Sequence, residues 1–67
     1  MTLQVNGERR ELSLADATLA EVLAALGIEA RGVAVACNDR VVRRGEFAQQ
    51  RVAEGDRIEI VRAVAGG

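Results

Sequence analysis

One amphipathic segment, two turns long, decides what this chain can fold into. Leu19, Val22, Leu23 and Leu26 fall at i, i+3, i+4 and i+7, which is one face of an α-helix. Just ahead, Thr18-Leu19-Ala20-Glu21 reads as a capping box: the Thr18 hydroxyl caps the Glu21 amide, and the Glu21 carboxylate reaches back to the Thr18 amide. Gly27 supplies the left-handed residue that ends a helix. So short a helix does not hold its shape alone in water, so its stripe must lie on a sheet.

The rest of the chain provides that sheet. Met1 to Val5 alternates, with Leu3 and Val5 on one face, and Asn6-Gly7 is a two-residue hairpin turn because both central residues of a type I′ turn need positive φ. Glu8 to Leu14 returns as a second strand, with Leu12 and Leu14 facing one way. Gly32 to Cys37 reads as a third strand, with Val33, Val35 and Cys37 on one face and Ala34 and Ala36 on the other. Asn38-Asp39 makes a second hairpin turn into Val41-Val42, and Arg44 to Arg51 reads as a loop or single helical turn around Phe47. After the Glu54-Gly55-Asp56 turn, Arg57 to Arg62 is the last strand, with Ile58 and Ile60 inward and Val61 outward. The order β-β-α-β-β-β, with first and last strands side by side, predicts an α+β fold of the ubiquitin-like β-grasp kind: a mixed sheet of 4–5 strands packed on one main helix, residues 1–62, followed by a flexible tail, residues 63–67.

Size and charge narrow the function. A chain of 67 residues forms one small domain and buries about 60% of the surface it exposes when unfolded. A ligand pocket typically needs about 300 Å³ or more, so an enzyme working alone is not expected. With Phe47 as the sole aromatic, the core must be Leu, Val, Ile and Ala. The net charge of −1 is spread without a basic patch, which argues against nucleic acid. No apolar run approaches the roughly 20 residues of a membrane span. One Cys, no His and no secretory leader point to the cytoplasm, with no metal site. All 9 cations are Arg, so the Met1 amino group is the only primary amine.

The candidate chemistry sits at the carboxyl end. Ala63 to Gly67 are all small, and follow a strand expected at the sheet centre. Five extended residues reach roughly 17 Å from such a platform. Without Cβ atoms, Gly66 and Gly67 can thread a narrow channel and leave the Gly67 carboxylate open from either side. A carboxylate is unreactive to nucleophiles until it becomes a mixed anhydride, which implies a partner that uses ATP.

Val41-Val42-Arg43-Arg44, Ala53-Glu54-Gly55-Asp56-Arg57-Ile58 and Val64-Ala65-Gly66-Gly67 together resemble the sulfur carrier proteins of thiamine biosynthesis, the ThiS family. The resemblance covers essentially the whole chain, including Asn6-Gly7, the Thr18 to Gly27 helix and Asn38; Arg43 departs from it, where relatives often carry Pro. It implies that an E1-like adenylating enzyme (ThiF type) activates Gly67 with ATP, while Gly66, Ala65 and Val64 are recognised as the tail. Sulfur from a cysteine persulfide, supplied by a cysteine desulfurase or persulfide carrier, would leave a thiocarboxylate, and thiazole synthase (ThiG type) would accept it. No cofactor is bound by the chain in this reading, and it catalyses nothing itself.

Other residues carry weaker readings. Val61, with Ala34 and Ala36 on the same outer face, forms a candidate partner interface. Cys37 continues the Val33-Val35 face and reads as a small buried hydrophobe rather than the sulfur-bearing group. Asp39, Glu54, Asp56 and Glu59 fall on turns and a solvent face and form no metal constellation. Two sulfur or conjugation chemistries compete: the small subunit of molybdopterin synthase, which carries Phe and Pro where this chain has Ile60-Val61-Arg62-Ala63-Val64, and a ubiquitin-like modifier joined to other proteins. A β-grasp interaction domain with an inert tail is the third alternative.

Overall fold

In the computed structural model, which describes residues 1–62, the chain runs β1 (Thr2–Val5), β2 (Glu8–Glu11), β3 (Ala17–Thr18), α1 (Leu19–Ala25), β4 (Val33–Cys37), β5 (Arg40–Val42), a 3₁₀ turn (Arg44–Glu46), β6 (Arg51–Val52) and β7 (Arg57–Arg62). Five strands form one mixed sheet in the order β2-β1-β7-β4-β5. The central pair is parallel, with Gln4 opposite Arg57 and Val5 opposite Ile58, and antiparallel strands flank it on both sides. With α1 packed across it, this is the expected β-grasp.

The hairpins follow their turn residues. Asn6 and Gly7 have φ of 52° and 83°, and Asn38 and Asp39 have φ of 51° and 68°. Positive φ at both central positions matches the twist of the flanking strands. In the second hairpin it sets Cys37 opposite Arg40 and Ala36 opposite Val41.

The capping box forms as read. Glu21 N donates to Thr18 Oγ1 at 3.3 Å and Thr18 N donates to Glu21 Oε1 at 2.8 Å. Two more donors of the first helical turn find carbonyls in the segment after the 3₁₀ turn, Leu19 N on Gln50 O at 2.8 Å and Ala20 N on Phe47 O at 2.9 Å. These satisfy groups that a helix start otherwise leaves unpaired. They also draw β6 beside β3, a two-stranded sheet that periodicity did not reveal. Leu3, Leu19, Val22, Leu23, Val35 and Ile58 are fully buried between helix and sheet, and Phe47 is buried in the same cluster. Burying one such aliphatic side chain contributes about 1.5–3 kcal/mol, so these contacts dominate the stability.

Two strands differ from expectation at their ends. The second strand stops at Glu11, opposite Thr2, rather than at Leu14, because only Met1 precedes Thr2; one further backbone bond, Leu12 N to Met1 O at 2.8 Å, closes the ladder. Leu12 and Leu14 instead turn their carbonyls to the Met1 amino group at 2.7 Å each, and their side chains are half-buried. The third strand begins at Val33, because Gly32 adopts a φ of 88°.

Candidate functional site

β7 is the strand that carries the chain toward residues 63–67, and it lies in the middle of the sheet as expected. Ala34 sits opposite Val61 and Val33 opposite Arg62, so β4 supports β7 to its last residue. Val64, Ala65, Gly66 and Gly67, the residues assigned to tail recognition and modification, lie outside the described residues, as does the boundary to the tail.

The outer face of the sheet, turned away from α1, divides in two. Over β1 and β7 it is polar, with Gln4, Glu59 and an exposed ion pair of 2.8 Å between Arg57 and Asp39. Over β4, β5 and the end of β7 it is apolar. There Val61 is 65% exposed, Ala34 is exposed and Ala36 is half-buried. The three residues named from the sequence are thus brought together.

Val41 completes the patch and was not singled out from the sequence. It is 81% exposed, opposite Ala36, and lines with Ala34, Ala36, Glu59 and Val61 a shallow depression of about 220 Å³. In the pair Val41-Val42, hydrophobicity alone does not say which side chain points out. The signal was the Asn38-Asp39 turn: a two-residue loop sets Val41 beside Ala36 on the outer face and sends Val42 inward.

Cys37 is buried, as expected. Burial, then the neighbouring Asp56 carboxylate and its hydrogen bond, push the thiol above its ordinary value. A thiol held protonated in this way is a poor nucleophile. The carboxylates have partners of their own. Asp56 Oδ2 accepts from Ala53 N at 2.8 Å and Oδ1 from Asn38 Nδ2 at 3.1 Å, while both Glu54 oxygens accept from Thr2 N at 3.0 and 3.1 Å. Among the described residues, no group of three or more His, Cys, Asp or Glu is placed to hold a metal ion, and no helix is long and apolar enough to cross a membrane.

Comparison with known proteins points in one direction. The ThiS family model matches residues 3–67. The chain is 38% identical over 63 residues to the sulfur carrier protein ThiS of Thermus thermophilus, covering 94% of this chain and 95% of that one. It is 42% identical over 67 residues to a thiazole synthase of Paramagnetospirillum magneticum, of which it spans 20% of the length. Among solved structures, the crystal structure of the thiamine biosynthesis protein ThiS from Geobacter metallireducens superposes with a TM-score of 0.87 at 32% identity, covering the whole of both chains.

Proposed function

The chain belongs to the ThiS family, and from that membership we propose that it carries sulfur for thiamine biosynthesis on the carboxyl group of Gly67. The observation that supports this best is the extent of the match, which runs to residue 67 and so includes the Gly66-Gly67 pair. An E1-like partner of the ThiF type converts the Gly67 carboxylate to an acyl-adenylate, with pyrophosphate leaving from ATP. The outer sulfur of a cysteine persulfide then attacks the acyl carbon, and AMP leaves. A further thiol of the partner reduces the S–S bond of the resulting acyl disulfide, which releases the thiocarboxylate and leaves a disulfide on the partner. The donor is a cysteine desulfurase or a persulfide carrier.

The acceptor is thiazole synthase, of the ThiG type. Support for this partner comes from the thiazole synthase that contains a segment similar to this whole chain. The chain itself acts as carrier and co-substrate, binds no cofactor and leaves ATP chemistry to its partner. Val64, Ala65 and Gly66 are the residues by which partners recognise the segment. The apolar patch of Ala34, Ala36, Val41 and Val61 is the docking face, since an exposed group of this kind next to the exit of β7 would hold a partner near the carboxyl end.

Intact mass spectrometry tests the reading. Protein recovered from its native cell should have a mass ending at Gly67. Incubation with the adenylating partner, ATP, a sulfur donor and a thiol reductant should shift it by the difference between sulfur and oxygen. A native polypeptide that continues past Gly67, or no shift under these conditions, overturns the proposal. High-mass conjugates in place of the shift would assign the chain to protein modification instead.

A further inference from the structure

β7 runs past the end of its parallel partner. β1 stops at Val5, opposite Ile58, and the chain leaves through the Asn6-Gly7 turn. The main-chain N–H of Asn6 donates to Ile58 O at 2.9 Å, the last backbone bond between the two strands. Two residues further on, the Ile60 N–H and C=O face the same side, where β1 no longer offers a backbone. The Asn6 side chain meets both groups: Oδ1 accepts from Ile60 N at 2.7 Å, and Nδ2 donates to Ile60 O at 3.2 Å.

A carboxamide carries the acceptor and donor of a peptide group. Asn6 therefore stands in for the residue that a longer β1 would have placed against Ile60. The turn alone does not call for this. A φ of 52° at Asn6 is equally open to Gly, which would leave Ile60 unpaired on this side. On the opposite side β4 already holds Val61 and Arg62 in register.

Resting on the reading that residues 63–67 present a carboxyl end to an adenylating partner, we propose that Asn6 is a positioning residue. Its side chain clamps β7 on the β1 side out to Ile60, and thereby sets the origin and direction of the segment the partner receives. Without the side chain, the last anchor on that side retreats from Ile60 to Ile58, roughly 7 Å of extended chain. β4 would still hold the strand from its own side, but the β1 side of its last residues would be free to shift. Fixing that edge would fall to the partner and weaken binding.

Asn6→Gly keeps the turn and removes the clamp; Asn6→Asp keeps the acceptor for Ile60 N and loses the donor. Thr18→Ala, which weakens the helix cap, serves as a control for stability loss alone. Amide exchange on the full chain should show Ile60 losing protection in Asn6→Gly while Ile58 keeps it. Pyrophosphate release by the adenylating partner should show KM for the chain rising roughly two- to tenfold with kcat unchanged. Asn6→Asp should fall between wild type and Asn6→Gly, and Thr18→Ala should leave KM alone. Retained Ile60 protection, an unchanged KM in Asn6→Gly, or an equal rise in Thr18→Ala would overturn the role. A wild-type chain that releases no pyrophosphate would instead overturn the functional reading itself, and this role with it.

Discussion

Cys37 Sγ lies 3.9 Å from Asp56 Oδ2, so a thiol and a carboxylate face each other at the end of β4. Desolvation first, and then the Asp56 charge and hydrogen bond, favour the protonated thiol and raise its pKa above the ordinary value of 9.0. The folded state thus binds this proton more tightly than the unfolded chain. The resulting stabilisation is fully present below the unfolded pKa and is lost as pH climbs past 9.0 through the higher folded value. Alkylation by iodoacetamide near neutral pH should be much slower in the native protein than in urea. Cys37→Ala should load sulfur as the wild type does; a complete loss of loading would make the thiol part of the chemistry.

Val61 and Val41 test the outer face. Both are exposed, each pairs across the sheet with a small alanine, and neither joins the buried core. Val61→Asp should therefore cost the fold no more than about 1 kcal/mol, the span of strand preferences. Binding to the adenylating partner, followed by titration calorimetry, should weaken about tenfold, equivalent to about 1.4 kcal/mol. Val41→Asp should act in the same direction. Unchanged affinity in both variants would remove this face from the interface.

Much of this architecture was legible because its signals are local. Thr18 and Glu21 announce the helix start, and the Asn6-Gly7 and Asn38-Asp39 pairs announce two hairpins whose φ values are those the turn type demands. Alternation places Ile58 inside and Val61 outside. The features that escaped are long-range. β3 and β6 contain two residues each, too few to show a period, and they pair because Gln50 and Phe47 carbonyls cap the helix start. The two bonds from Asn6 to Ile60 span 54 positions and leave no mark on either local pattern. The carboxyl-terminal chemistry falls outside the described residues: the sequence suggests an accessible carboxylate, and sulfur enters only through family resemblance.

The helix cap should contribute measurably to stability. Thr18→Ala removes the acceptor for Glu21 N, and a change of this type costs about 1 kcal/mol. In a domain of this size that corresponds to a fall in Tm of roughly 4–8 °C. Glu21→Ala removes the reciprocal bond to Thr18 N. The double variant should lose less than the sum of the two single losses, because each half of the box orders the other. Strict additivity in thermal melts would show that the two bonds act independently.

Removal of Gly67 separates docking from chemistry. Gly67 is a terminal residue with no side chain to bury, so the truncated protein should melt within about 0.5 kcal/mol of the wild type. Its new end, Gly66, would fall about 3.3 Å short of the adenylating centre. Pyrophosphate release should therefore be abolished even though the outer face is intact. A chain that docks without reacting competes with one that does, so the truncated protein should inhibit wild-type activation, with an inhibition constant near the wild-type KM. Adding Val61→Asp to the truncation should relieve that inhibition, since the docking patch is then broken. A truncated protein that is still adenylated would show that the partner does not measure the position of the last residue. Failure of the truncated chain to inhibit would place binding in the terminal residues rather than in the sheet.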